Sequence, residues 1–508
     1  MKLSRPWLVV LLSGVCSGLS WAHHATSALS PDATLTTLFL SYGALLPPFD
    51  PARIEVEGTV PNTIESVQIY ASASEPSATI TVGGQRSQSG EWSRGQPLAV
   101  GRNTINVDVT SDDGTTKLRY AVKVLRESPT VDWHQVATTN PWAPRDSAGE
   151  LVFNDRMWLL GGYEPAVRGD VWSTSDGVSW ESSADIPAAR GVDIPVNFVH
   201  RDMMWVTGSL GELFSSKDGA AWTLVNGASP ASGRYAVGGT TFKDRMWMLG
   251  GLSWASPTLY NDVWSSKDGV DWTRQVERAP WAPRQLFGHV VAHDDRLWVV
   301  GGGITRYEPF RGYRDVWSSA NGKDWNCVTD EAPWPARIWS TSVVYRNRIF
   351  VIGGFRGQPE WENLNDVWYS SDGKDWKRLV TNTIWPARHE LSAYVFKDKL
   401  WVVGGNEWPL TNDVWTLDIP GLVFLSQPVL EGYVGAGYSY HAEADFNRSA
   451  KRLRYTLTAG PDWLTVDEHS GFVHGVSPEP GDYAVTVQAG DEHGETAQQG
   501  FSIHIQPL

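Results

Sequence analysis

Six arginines recur through the middle of the chain: Arg145, Arg190, Arg234, Arg284, Arg337 and Arg388, spaced 44 to 53 residues apart. Each follows a turn rich in proline or alanine. A ring of guanidiniums at a channel mouth would hold an anion or a carboxylate. The same planar fork also pairs with acids inside a fold. Regular repetition favours the second use, because structure repeats whereas sites are asymmetric. Chemistry is therefore sought among the residues that differ after those arginines: Asp193, His289, Trp339, His389 and Glu390. Carboxylates and imidazoles at one mouth are the parts of general acid–base catalysis. A second set lies in stretches of unequal length further along. It comprises Trp254, Tyr260, Arg306, Tyr307, Phe310, Arg311, Tyr313, Arg314, Phe355, Arg356, Trp361 and Trp408, with Tyr163, Glu164, Glu362 and Glu407 beside them. Rigid aromatic rings with arginine are typical of binding surfaces, and their faces stack on sugars.

A repeat must position these groups. Its clearest copy, residues 262–303, reads DVWSSKDGVDWTRQVERAPWAPRQLFGHVVAHDDRLWVVGGG. After the arginine comes an apolar stretch, then a polar turn such as Asn154-Asp155-Arg156 or Lys243-Asp244-Arg245. A second apolar stretch ends in a glycine pair, at Gly161-Gly162, Gly250-Gly251, Gly301-Gly302, Gly353-Gly354 and Gly404-Gly405. A variable loop, DVW and an Asp-Gly or Asn-Gly pair follow, with a tryptophan three residues later: Trp180, Trp222, Trp272, Trp325 and Trp376. Such pairs favour two-residue hairpin turns. Four short strands per unit, six units and no helical period predict a six-bladed β-propeller, with the repeated tryptophans as inter-blade core. The sixth unit lacks the last hairpin. Val131-Asp132-Trp133 matches Val270-Asp271-Trp272, so residues 131–137 are expected to supply the missing outer strand. The loops after the glycine pairs share one face with the turns leading into the arginines.

The glycine pair, DVW and the final tryptophan resemble kelch repeats over residues 131–417. The second unit departs, with Gly208-Ser209 for the glycine pair and Glu212-Leu213-Phe214 for DVW. Kelch propellers include copper enzymes with a Cys–Tyr crosslink near the axis; Cys327, on an outer strand, excludes that use. They also include exported sialic acid epimerases. Residues 31–128 hold several short strand-like runs, and 38–49, 78–83 and 98–121 resemble a bacterial cadherin-like β-sandwich, departing at 54–58, where that family has a tyrosine. Residues 421–508 resemble the immunoglobulin-like, cadherin-like domain of bacterial surface proteins, through Gln427-Pro428-Val429, 435–440, 463–466, Ser470 to Gly475 and 481–489. That resemblance implies a spacer or binding module. Asp445, Asp467, Asp482 and Asp491 there offer oxygens to calcium, without the paired spacing of a dedicated loop.

The 508 residues suffice for these three domains, and 28 Trp with 49 Gly suit an all-β chain. A net charge of −15 disfavours nucleic acid or an anionic membrane as partner. Residues 1–22 read as an export signal: Lys2 and Arg5, an apolar run too short to span a bilayer, then Ser20-Trp21-Ala22. Cleavage there would leave His23-His24 leading and Cys327 the single cysteine, so no internal disulfide is expected.

The expected fold is all-β: a cadherin-like sandwich (31–128), a six-bladed kelch-type propeller (129–420) and an Ig-like sandwich (421–508). The expected function is that of an exported, non-catalytic binding or adhesion protein. It would use the aromatic/Arg loop face for a protein or glycan, with no cofactor and no membrane span. The alternative is a carbohydrate-active enzyme such as a sugar-acid epimerase, with Asp193, His289, His389 and Glu390 at the channel mouth.

Overall fold

The computed structural model describes residues 29–507 apart from residues 44, 47, 61, 63, 307–309 and 358. The expected export signal, His23-His24 and Tyr307 lie outside the described residues. Within them the chain is strands and turns, and no helix is long and apolar enough to cross a membrane.

Among the described residues, six four-stranded antiparallel sheets stand in a ring. Their inner strands are Gly149–Phe153, Asn197–His200, Gly238–Phe242, Val290–His293, Thr341–Tyr345 and Ser392–Phe396, each packed beside the next and the last beside the first. We number these blades 1 to 6. The outer strand of blade 6 is Trp133–Ala137, which pairs antiparallel with Leu410–Asp418. Trp133 packs edge-on against Trp385, as Trp180 does on Trp142 and Trp325 on Trp281. Ring closure thus joins the two ends of the propeller by one hydrogen-bonded ladder.

The first and second strands of each blade are joined by tight turns whose two central residues both have positive φ, as in Asn154-Asp155 (49° and 54°) and Lys243-Asp244 (47° and 53°). These are the two-residue hairpin turns, suited to the twist of the strands they join. The Asp-Gly pairs do not form such turns, contrary to the sequence expectation. Only the glycine has positive φ there, and the aspartate side chain shapes a longer loop: Asp176 accepts the amides of Val178 and Ser179, and Thr174 Oγ1 that of Gly177. The glycine is needed for a second reason. Gly177, Gly219, Gly269, Gly322 and Gly373 lie flat on Trp401, Trp158, Trp205, Trp247 and Trp298 of the preceding blade, leaving no room for a Cβ.

The sixth such contact is missing, because blade 6 lacks that hairpin, and blade 5 carries Phe350 in place of the tryptophan. Phe446 of the C-terminal sandwich occupies the place, with ring centroids 6.4 Å from Phe350 and 4.9 Å from Tyr369. Around it Arg348 bonds Asp445 (2.6 Å) and Asn447 (3.0 Å), and Lys377 bonds Asp445 (3.0 Å). The sandwich core and the last-blade core therefore meet at Phe446 and Leu425.

The N-terminal domain stacks a sheet holding Leu35–Leu40 and Ile69–Ala73 on a larger one holding Gly101–Thr110 and Lys117–Arg126, with their alternate residues forming one core. It touches the C-terminal domain directly. Asn62 donates to the Leu425 carbonyl (2.9 Å) and Glu127 accepts the Gln427 amide (2.6 Å). Burial raises the Glu127 carboxyl to about 7. The four aspartates considered for calcium serve separate partners: Asp445 holds Arg348 and Lys377, Asp467 caps a turn, Asp482 meets His504, and Asp491 bonds Ser449 and Asn447.

Candidate functional site

The inner strands begin with a feature that glycine patterns do not announce. Two or three positions ahead of each inner strand, a residue adopts positive φ: Ser147 (59°), Ile194 (45°), Ala236 (52°), Gly288 (72°), Trp339 (59°) and Glu390 (50°). Five of the six are not glycine, and each such residue costs about 1–3 kcal/mol. Their carbonyls bridge neighbouring blades. Ser147 donates its amide to Glu390 O, Ile194 to Ser147 O, and Glu390 to Trp339 O, at 3.2, 2.9 and 2.9 Å. This constriction carries the side chains of the loop-face mouth. Ile194, Ala236 and Phe287 pack together on one arc.

The opposite arc is acidic. Asp146, Glu390 and His389 are buried, and one ligand atom from each lies within 4.8 Å of the others. Ser147 Oγ is 3.0 Å from both Asp146 Oδ1 and Glu390 Oε2. Asn406 donates to Asp146 Oδ2 at 2.9 Å. His389 Nδ1 meets Asn363 Oδ1 at 2.6 Å. Because the Asn363 amide donates to the Asn406 carbonyl (2.8 Å), its oxygen must face the imidazole, so Nδ1 carries the proton. Burial holds His389 down to about 4, so it is neutral. Burial raises Glu390 and Asp146, and burial with the Asp146 charge brings Asp193 up to about 6. The Tyr235 hydroxyl is pushed up by burial and by the charges of Glu390, Asp193 and Asp146.

Thus Asp193, His389 and Glu390 come to one place, joined by Asp146, Ser147, Tyr235, Asn363 and Asn406, which the sequence reading did not single out. His289 is not part of the group. Its Nδ1 bonds the Val300 carbonyl (2.7 Å), its Nε2 is buried without a partner, and burial lowers its pKa to about 4.

Five of the six repeated arginines are committed to the fold. Arg145, Arg234, Arg284, Arg337 and Arg388 form two-pronged pairs with the aspartate of DVW: Asp170, Asp262, Asp315, Asp366 and Asp413. Each also donates to a carbonyl of the glycine pair, and the DVW tryptophan donates to the same carboxylate. None of these five offers a free fork to an anion at the mouth. Arg190, in the unit with Glu212-Leu213 instead of Asp-Val, is exposed.

The aromatic loop residues divide in two. Phe310, Trp339, Phe355, Trp361, His389 and Trp408 form one connected wall, with centroid spacings of 5.1–6.1 Å. Trp361 is 53% exposed and Trp408 69%. Both have positive φ (47° and 59°), uncommon for so bulky a side chain. The others are engaged by neighbouring side chains, although Trp254, Arg306 and Arg311 stay exposed. Tyr260 lies on Arg234, Tyr313 is sandwiched by Arg284 and Arg311, and Arg306 caps Trp254, which packs on Tyr235. Arg314 pairs with Glu331, and Arg356 with Glu360 and Glu362.

On the strand side of the constriction the channel holds a cavity of about 430 Å³, lined by Glu150, Asn197, Thr240, Thr241 and Ser342 among apolar neighbours. Glu150 Oε2 is buried without a partner, and burial raises its carboxyl to about 8. A raised carboxyl stabilises the folded state fully below its unfolded pKa of about 4.5, and that contribution is lost as pH rises through about 8. Glu150→Gln is therefore expected to be about 2–4 kcal/mol more stable than the parent at pH 9 and equal to it near pH 5. Denaturant melts at both pH values check this. A gap independent of pH would remove the charge as its cause.

Comparison with known proteins adds the following. A family described as "DUF6242 beta propeller domain" matches residues 128–427, "Cadherin-like beta sandwich domain" residues 30–127, and "Putative Ig domain" residues 422–506. A "Putative membrane protein" of Evansella cellulosilytica is 33% identical over 98 residues, 19% of this chain and 15% of that protein. "Leucine-zipper-like transcriptional regulator 1 homolog" of Drosophila melanogaster is 28% identical over 189 residues, 33% of this chain and 18% of that one. "Kelch repeat protein M-T8" of Myxoma virus is 27% identical over 137 residues, 24% of this chain and 25% of that one. The chain spans a quarter or less of the length of each of these relatives.

Proposed function

The chain belongs to the DUF6242 beta propeller family, and we propose that it is a non-catalytic binding or adhesion protein whose propeller loop face seats a glycan. The observation that carries this reading is the connected aromatic wall ending in two exposed, backbone-strained tryptophans, Trp361 and Trp408. Strain at a surface position persists only when its surroundings enforce it, and here it sets two indoles outward on a rigid support. Indole faces of this kind stack on the apolar faces of sugar rings. The two sandwich domains act as spacers or further contacts, and the protein works outside the cytoplasm, at the cell surface or in the periplasm.

A glycan array followed by titration of the best ligand tests this. Trp361→Ala and Trp408→Ala should each weaken binding about tenfold or more. Arg311→Ala, acting through Tyr313, should do less. Unchanged affinity in both tryptophan variants would remove the loop face as the binding surface. Capture of a peptide ligand by the same residues would make the partner a protein.

The three raised carboxyls behind the wall favour a second reading, a sugar-acid epimerase using Asp193 and Glu390 for proton transfer. Following the anomers of a sialic acid by proton NMR separates the two. Turnover that disappears in Glu390→Gln would establish the enzyme, and its absence would leave binding.

A further inference from the structure

Asp146, Asp193 and Glu390 bring three carboxyl groups to one arc of the constriction, and among the described residues no lysine or arginine forms an ion pair with any of them. Uncompensated carboxylates in such a place are costly unless protons or a cation accompany them. His389 provides an independent pointer. It is 97% buried, its Nδ1–H is taken by Asn363, and its other ring nitrogen, which must carry a lone pair, has no hydrogen-bond partner among the described residues. That imidazole offers a nitrogen within 4.8 Å of an oxygen of both Asp146 and Glu390.

We propose that Asp146, His389 and Glu390 form a binding site for one divalent transition-metal cation, of the zinc or manganese class, at the loop-face mouth of the propeller. The donor set decides the class. Calcium and magnesium take oxygen cages, whereas an imidazole with two carboxylates suits zinc or manganese. Zinc–ligand bonds of about 2.0–2.2 Å in a tetrahedral site put ligand atoms about 3.3–3.6 Å apart, so ligand atoms that lie within 4.8 Å of one another draw together by up to about 1.5 Å on binding. The supporting shell is in place: Asn363 fixes the imidazole tautomer, Asn406 holds Asp146, and Ser147 spans Asp146 and Glu390. Asp193 adds charge alongside. The three ligands come from blades 1 and 6, which meet at the closing seam, so the cation would tie the first inner strand to the last. His389 stacks on Trp339 (5.1 Å, 24°) and packs on Trp408, so the site also anchors the aromatic wall.

The test is calorimetric titration of chelator-treated full chain with Zn²⁺ alone and Mn²⁺ alone, together with thermal melts in each. One equivalent of at least one ion should bind and raise Tm by several degrees. Asp146→Asn and Glu390→Gln should each weaken that binding at least a hundredfold and abolish the Tm rise. Asn363→Ala, which frees the imidazole, should weaken it about tenfold. Glu390→Gln also removes a buried charge, so its metal-free Tm should equal or exceed that of the parent. This shows that the loss of binding is not a loss of fold, and it decides the matter if Asp146→Asn does not fold. No saturable binding of either ion, or binding and Tm response unchanged in Glu390→Gln, would overturn the proposal.

Discussion

Arg284→Ala is expected to cost the propeller about 3–5 kcal/mol, whereas Arg190→Ala should change its stability by no more than about 0.5 kcal/mol. The two arginines hold the same place in the repeat, and their surroundings set the difference. Arg284 is fully buried, its guanidinium pairs with Asp315 at 2.5 and 2.8 Å, and it donates to the carbonyls of Gly301 and Ala282, both at 2.9 Å. Tyr313 covers one face at 3.8 Å. Among the described residues, truncation leaves the Asp315 carboxylate with Trp317 Nε1 as its one remaining donor, in a largely water-free place. Arg190 is exposed and its unit has no such aspartate. Denaturant melts followed by tryptophan fluorescence measure both variants. Equal losses would mean that the pair adds nothing beyond the bulk of the side chain.

Phe446→Ala is expected to lower propeller stability by about 3–5 kcal/mol, although Phe446 belongs to another domain. Its ring is fully buried against Phe350 and Tyr369, where the other blades receive a turn glycine on a tryptophan. Its removal opens a cavity in the blade 5–6 core rather than in the sandwich alone. Val487→Ala, in the core of the C-terminal sandwich, serves as the comparison. Hydrogen exchange read separately over residues 341–418 and 431–506 distinguishes them. Phe446→Ala should raise exchange in both stretches, and Val487→Ala mainly in the second. Loss confined to the sandwich in both variants would show that the propeller closes without this ring.

The repeat was legible because its letters have direct physical meaning. Paired glycines mark positive φ, at Gly161 (61°) and Gly162 (108°) for example, and Val131-Asp132-Trp133 builds the same kind of outer strand as Val270-Asp271-Trp272. The pairing of the repeated arginine with the aspartate of DVW was hidden, although both letters were in view. They lie 25 to 31 residues apart in sequence and meet only once the blade folds. Asp193, His389 and Glu390 stood out by differing after the arginines, but the place of Asp146 beside them was hidden for a different reason. Aligned on the arginines, Asp146 is one residue beyond its arginine and Asp193 three beyond. Aligned on the positive-φ residue, both stand immediately before it, because unit 2 carries two extra residues in the turn. Backbone geometry sets the equivalence, and Ser147, Ile194, Trp339 and Glu390 do not advertise that geometry as glycine does.

The ladder that closes the ring also has a mechanical consequence. Trp133, the first residue of the closing strand, pairs with Leu417 near the end of its partner. The N-terminal domain therefore enters the seam, and the C-terminal domain leaves it, at the same end. Tension drawing the two domains apart would load the rungs one after another, as in opening a zip, instead of sharing the force across all of them. Resistance at the start of that path falls to the direct bridges between the domains, Asn62 to Leu425 and Glu127 to Gln427. In a protein that tethers surfaces, those contacts would be the latch, and the ladder behind them the part that gives way once the latch has opened.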